Sequence, residues 1–252
     1  MSILDVLNYE ENKGVKEEFF PGVTVGVVTD IDDPEKLGRL KVRIINRDSS
    51  DYETGFIRVM TPMTGKEWGT FCFPEVGDEV LVAFNQGDIN RPYVLGSLWN
   101  KNYKPPTTIE NQKNDIRMIK TKSGHEIVFD DTSKKEKIDI KTPKELTVTL
   151  EDEKEKITIK DKQGKNIITI DSKNGEISVI SDNKISLKSG NSSLILDSKK
   201  NSVNLESNQS LNISSQQISI KAKSTLELQA GGSLNVKSSG PAVIKGATVK
   251  IN

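Results

Sequence analysis

Along residues 130–252 aliphatic side chains come in pairs separated by one residue, and up to Leu234 the pair returns every seven to eleven positions. The series runs Ile138/Ile140, Val148/Leu150, Ile157/Ile159, Ile168/Ile170, Ile177/Val179, Ile185/Leu187, Leu194/Leu196, Val203/Leu205, Leu211/Ile213, Ile218/Ile220, Leu226/Leu228, Leu234/Val236 and Val249/Ile251. Between the two members there is usually a Thr, Ser, Asp, Asn, Glu or Lys. Side chains on a strand alternate faces, so each pair directs two aliphatics to one side and a polar group to the other. Turn formers punctuate the series at Lys173-Asn174-Gly175, Ser189-Gly190-Asn191 and Ala230-Gly231-Gly232. Short strands at a near-constant period predict a solenoid or β-helix.

Two aliphatics per short strand fill only a narrow tube, and one chain would bury too little by itself. Three copies wound together, each supplying one face of a triangular prism, would close a dry core and leave no lateral edge. The pattern therefore predicts an intertwined homotrimer. Its core would be formed by Ile177, Val179, Ile185, Leu187, Leu194, Leu196, Val203, Leu205, Leu211, Ile213, Ile218, Ile220, Leu226 and Leu228. At one strand spacing of about 4.7 Å per strand, such a needle would be about 60–65 Å long. A disordered or amyloid-like tail is the competing reading, since the segment is rich in Lys, Ser and Asn, but in-phase aliphatic pairs argue against it.

The first half follows a different pattern. Strand-like runs cover Val23–Thr29, Leu40–Ile45, Gly55–Met60, Trp68–Phe73, Glu79–Phe84 and Tyr93–Trp99. Turns are expected at Asp33-Pro34 with Gly38, at Gly77-Asp78, and at Gly87-Asp88 with Arg91-Pro92. Five or six antiparallel strands in this length predict a small closed barrel of the OB type. Residues 3–19 suit a short amphipathic helix or an ordered arm, interrupted by Gly14. The expected organisation is an arm over 1–20, an OB-fold domain over 21–105, a linker leading into the helix over 106–130, and the needle over 131–252. The fold class is all-β, an N-terminal OB barrel followed by a C-terminal triple-stranded intertwined β-helix.

Composition sharpens the division. Every aromatic lies at or before Phe129, and residues 130–252 contain no Met, Cys, His or Arg. The chain has 36 basic and 36 acidic residues, and neither half is basic enough to make nucleic acid the expected partner. No run of 18 apolar residues is present, and the N-terminus lacks the basic-then-apolar signature of a secretory signal, so assembly in the cytoplasm is expected. The lone Cys72, between Phe71 and Phe73, is expected to be a small buried hydrophobe.

Specific motifs then name a relationship. The stretches Asp33–Arg43, Ile57–Met63, Phe73–Phe84 and Gly87–Asn100 closely resemble the OB domain shared by phage baseplate spike proteins and the VgrG spikes of type VI secretion. Ile119–Asp130 resembles that family's lead into a triple-stranded β-helix, and Gly240–Asn252 resembles its blunt spike ends. The resemblance implies a trimeric, membrane-puncturing spike of a contractile tail or injection machine, made in the cytoplasm and then carried in a phage or phage-tail-like particle. The short stretch before the barrel cannot supply the large hub region of VgrG proteins, so a separate baseplate hub protein is implied. Lys101–Asp115 leaves no room for a lysozyme domain after the barrel. The only histidine, His125, is far from the C-terminus, so the iron-holding His-x-His apex of some short phage spikes is missing. A blunt end suits a separate PAAR-repeat tip protein, with Val249, Lys250, Ile251 and Asn252 as the contact, and contact with the target envelope would be transient.

Candidate chemistry is thin. Asp32/Asp33, Glu75/Asp78/Glu79 and Asp130/Asp131 are carboxylate clusters of the kind a glycosidase needs, yet all sit beside turns or polar runs, where solvated carboxylates are common. His125 has no second ligand at metal spacing. Arg39, Arg43 and Arg58 could line an OB groove for a single nucleic-acid strand, but such grooves also need exposed aromatics, and Phe71, Phe73 and Phe84 read as core. The expectation is no enzyme, no cofactor, no metal and no nucleic-acid partner. A polysaccharide-binding or depolymerising β-helix of the tailspike kind is the alternative; the rod's lack of aromatics weighs against it.

Overall fold

The computed structural model describes residues 22–45 and 52–250. The expected arm over 1–20 and two of the tip residues, Ile251 and Asn252, lie outside the described residues. The architecture is all-β, and among the described residues a 3-10 turn at Asn85–Gly87 is the one named helical element. By its contacts the chain divides into two units, Met1–Lys156 and Ile157–Asn252.

The first unit opens with a barrel. Its strands are β1 (Val23–Asp30), β2 (Arg39–Ile44), β3 (Tyr52–Glu53), β4 (Ile57–Val59), β5 (Thr64–Gly65), β6 (Trp68–Gly69), β7 (Glu79–Phe84) and β8 (Pro92–Ser97). Hydrogen bonding follows the order β1-β7-β8-β4-β2, and β2 pairs back onto β1, which closes five strands into a ring. Within that ring β4 and β8 run parallel and the other neighbours antiparallel. Alternation decides what fills the ring: in β7, Val80, Val82 and Phe84 are buried while Glu79, Leu81 and Ala83 are half-exposed. Val28, Leu40, Val42, Ile44, Ile57 and Val94 complete the core. Gly26 lets β1 cross β2 closely, because a Cβ there would sit 2.3 Å from Val42 Cγ1 and 3.0 Å from the Arg43 carbonyl oxygen.

The same unit continues with β9 (Ile116–Lys120), β10 (Glu126–Asp130), β11 (Lys137–Lys141) and β12 (Thr147–Glu151), an antiparallel meander paired in sequence order. At the division between the units lies β13 (Lys156–Lys160). In the second unit β14 (Ile167–Asp171) pairs with β15 (Glu176–Ile180). A three-stranded meander then joins β16 (Lys184–Ser189), β17 (Ser192–Asp197) and β18 (Ser202–Glu206).

Each reversal in these meanders uses turn chemistry. Gly124, Gly164, Gly175 and Gly190 take positive φ, and non-glycine residues do so at Lys134, Glu145, Glu155 and Asn201. A side-chain oxygen near the start of a turn accepts a backbone N–H four positions on: Thr121 from His125, Thr142 from Leu146, and Asp161 from Lys165. These oxygens recur once per two strands, a double period that the single-strand spacing did not show.

After Glu206 the pattern of aliphatic pairs persists but the strands do not. Residues 207–250 form no strand, and none of them has positive φ. The expected strands at Leu211/Ile213, Ile218/Ile220, Leu226/Leu228 and Leu234/Val236 are therefore not made within one chain. The spacing shortens at the same point. Pairs up to Val203 start eight to eleven positions apart, and from there on up to Leu234 only seven or eight apart. The connectors Ser214–Gln217 and Lys221–Thr225 contain no Gly, Asn or Asp, whereas Asn208 and Gly231-Gly232 stand in the connectors before and after them.

Candidate functional site

The register of the meanders aligns the aliphatic pairs into rows. Ile127 faces Ile119 and Ile140, Phe129 faces Ile138, Ile138 faces Leu150 and Ile140 faces Val148. In the second unit Ile168 faces Val179 and Ile170 faces Ile177. Leu196 lies between Ile185 and Val203, and Leu194 between Leu187 and Leu205. Directly paired residues share a face, so within each meander the aliphatics form one continuous surface. The eight expected core positions from Ile177 to Leu205 all stand on such a surface.

That surface is open. Ile177 is 74% exposed, Val203 70% and Leu187 60%. Burial is in fact inverted: in β10, Ile127 and Phe129 are exposed while Glu126, Val128 and Asp130 are half-buried. The polar face covers itself. Lys120 Nζ meets Glu126 at 2.7 Å, Lys137 Nζ meets Asp139 at 2.8 Å, and Thr149 Oγ1 donates to Asp139 at 2.6 Å. The Lys120 hydrogen bond lowers the pKa of Glu126, and Asp139 raises that of Lys137. In the second unit Lys165 Nζ lies 2.8 Å from Asp182, which raises its pKa. Cross-strand neighbours thus partly cover the charged face, and the apolar face is half-buried at Ile138, Val148, Ile185 and Leu194 and exposed at its other positions named above.

Between residues 207 and 250 the exposure is greater still. Every residue is exposed, Leu211 at 56%, Ile213 at 67%, Ile220 at 65% and Leu228 at 65% among them, with Ile218 and Leu226 similar. Of the expected tip contact, Val249 and Lys250 are exposed.

On the barrel, the carboxylate cluster near Asp33 has a structural role. Asp33 is nearly buried and accepts backbone N–H bonds from Glu35, Leu37 and Arg39. The Arg39 guanidinium grips both its oxygens, at 3.0 and 2.7 Å, and reaches Glu35 at 2.8 Å. The Arg39 hydrogen bonds hold the Asp33 carboxyl well below the usual carboxylate range. Arg58 lies 4.8 Å above the Tyr93 ring and donates to its hydroxyl at 2.7 Å. Arg43 faces Val27 on β1 and Glu53 on β3. The three arginines thus sit on neighbouring strands, with Arg39 committed to carboxylates. His125 is exposed in the β9–β10 turn. Among the described residues, no three His, Cys, Asp or Glu side chains are placed to hold a metal.

Two expectations fail here. Of the Trp68–Phe73 run only Trp68–Gly69 is strand, paired with Thr64–Gly65 in a small hairpin, and Phe71 is 80% exposed. Cys72 is exposed as well. Phe84 is in the core as expected, and Phe73 is packed against it. An apolar run announces burial without saying whether the chain itself provides it.

Residues 24–99 match the family described as the type VI secretion system/phage-baseplate injector OB domain. The matched stretch covers the barrel, which is an OB fold. The chain is also similar to the type VI secretion system spike protein VgrG2a of Pseudomonas aeruginosa, 30% identical over 107 residues, which is 39% of this chain and 13% of the relative. VgrG1a of the same organism is 33% identical over 75 residues, 29% of this chain and 12% of the relative. The actin cross-linking toxin VgrG1 of Vibrio cholerae is 28% identical over 123 residues, 46% of this chain and 11% of the relative. The chain is VgrG-like in a baseplate-spike domain, and the matched stretch spans about an eighth of the length of each of these relatives.

Proposed function

We propose that this protein is the central spike of a contractile tail or injection machine and works as a homotrimer. The observation that carries the reading is the open aliphatic surface, laid out in register on a chain that also bears an injector OB domain. Three such surfaces brought face to face would bury every row, and burial of aliphatic surface at about 25 cal/mol per Å² drives association strongly. In the meanders the partners supply only the missing face. In residues 207–250 they would also supply the strand ladder, so the chains there would wind around one another. The organisation into an arm over 1–20, a barrel over 21–105, a linker over 106–130 and a needle over 131–252 belongs to this reading.

The mechanism is mechanical and involves no catalytic step. A separate hub holds the barrels, a PAAR-repeat protein caps the tip, and the needle is driven through a target envelope. Stiffness arises because bending a water-free prism must break packing and ladder bonds together. Among the described residues no helix is long and apolar enough to cross a membrane. Light scattering on the eluting chromatographic peak tests the reading. A mass three times the 27.9 kDa of one chain is expected, and a monomer mass would overturn it.

A further inference from the structure

Asn174-Gly175 is the only Asn-Gly pair in the chain, and it is exposed in the turn that joins β14 to β15. An Asn followed by Gly is the pair most open to spontaneous loss of the side-chain amide, because glycine has no side chain to hinder attack by its own nitrogen. The turn favours glycine at this position: Gly175 has φ 66°, a left-handed conformation that glycine adopts without steric cost. The residue that suits the turn is thus the one that leaves Asn174 open to attack.

The same turn ties down both reacting groups. Asp171, the last residue of β14, accepts the Asn174 backbone N–H at 3.0 Å through one carboxylate oxygen and Asn174 Nδ2 at 3.1 Å through the other. A carboxylate only accepts, so this grip fixes the side chain with its amide nitrogen toward Asp171. The Gly175 N–H donates to the Ser172 carbonyl oxygen at 3.3 Å. Attack therefore requires the Asn174 side chain to leave Asp171 and the Gly175 nitrogen to leave Ser172. A similar grip occurs at Asp161, which accepts the backbone N–H groups of Lys165 and Asn166 and, at 2.7 Å, Asn166 Nδ2. There the next residue is Ile167, whose branched side chain crowds the nitrogen, so that grip shapes a turn without guarding a reactive bond.

We propose that Asn174 is a deamidation site and that Asp171 holds its reaction in check. The Gly175 nitrogen bonds to Asn174 Cγ and loses its proton, the Cγ–Nδ2 bond breaks, and ammonia leaves. Water then opens the cyclic imide at either carbonyl, giving aspartate or isoaspartate with no change of oxidation state. Either product damages the hairpin. Aspartate sets a second carboxylate against Asp171, and isoaspartate routes the main chain through the side-chain carbon, lengthening the turn that sets Ile168 opposite Val179 and Ile170 opposite Ile177. The site does not depend on the spike reading.

The test is warm incubation of the full-length protein at mildly alkaline pH, followed by peptide mapping by mass spectrometry to read the fraction of Asn174 converted. Conversion in the folded protein is expected to be about ten-fold slower than in guanidinium-unfolded chain, roughly what one hydrogen bond to a charged group is worth. Asp171→Ala is expected to recover most of that factor. Asp197→Ala, which removes the carboxylate that accepts the Lys200 N–H in the β17–β18 turn, is expected to leave Asn174 as slow as in wild type. Trypsin cleavage at Lys173, in the same turn, reports whether the hairpin itself has opened and is expected to be unchanged in Asp171→Ala. Conversion in folded wild type as fast as in the unfolded chain would overturn the inference, as would an Asp171→Ala protein as slow as wild type. Faster conversion in Asp197→Ala, or faster conversion in Asp171→Ala accompanied by faster cleavage at Lys173, would overturn it too, since the protection would then belong to the folded hairpin and not to the carboxylate.

Discussion

The barrel and the repeats after it are built from the same alternation of apolar and polar residues, yet one is complete and the other is not. In the barrel the ring closes on itself, and Val28, Leu40, Val42, Val80, Val82 and Val94 are at most 1% exposed. In the meanders the aliphatics are just as regular and remain largely open, because an antiparallel sheet has two faces and no described part of this chain lays a second layer on either. Residues 207–250 go further and lack the ladder too. On the proposed trimer, dependence on partners would therefore increase along the chain, from the barrel, to sheets that lack a covering, to a segment that lacks both covering and ladder.

That gradient can be broken at chosen points. The largest effect is expected from a charge on the open surface: Leu205→Asp or Ile213→Asp should abolish the trimer by placing a carboxylate where three chains meet, as read by light scattering. Wild-type-like trimers of either variant would mean that the surface points outward. Truncation after Glu206 should come next. It leaves every observed strand intact, and the expected result is a trimer that dissociates in SDS without boiling, since the segment that needs partners for its backbone is gone. Leu40→Ala in the barrel should cost about 2–5 kcal/mol in denaturant unfolding yet leave the mass unchanged, because that core belongs to one chain.

A smaller effect should come from acid. The Asp33 pKa is lowered in the folded barrel, so its contribution is fully present above the ordinary carboxylate pKa and is lost as pH falls toward the folded value. Asp33→Asn should lower the barrel's Tm at neutral pH, and the gap to wild type should narrow on acidification from about pH 4 downward. The smallest effect is expected at the turns. Glu155 has φ 49°. Glu155→Gly should raise stability by about 0.5–1 kcal/mol by removing left-handed strain, measured as a small rise in Tm.

Several parts of this could be read from particular residues. Glu79–Phe84 is a strand over the bounds its alternation predicts, and the pairs from Ile138/Ile140 to Val203/Leu205 fall in the strands they imply. Trp68–Phe73 misled because hydrophobicity measures the gain from leaving water and does not say whether the chain provides the burial. Gly65 and Gly69 were the available signal, since two glycines around a Trp mark a tight hairpin rather than a continuous strand. The shortened spacing after Val203 was also visible, but its meaning required knowing where the turns with positive φ end.

The sequence by itself determined the strands from Ile138/Ile140 to Val203/Leu205, the common face of their aliphatics and the likeness of residues 24–99 to an injector OB domain, because local alternation and ordered motifs are properties of neighbouring residues. Only the tertiary structure decided which apolar surfaces the chain covers for itself. Closure of β2 onto β1 buries one set, and among the described residues no second layer covers the other; both outcomes depend on contacts between residues far apart in the chain.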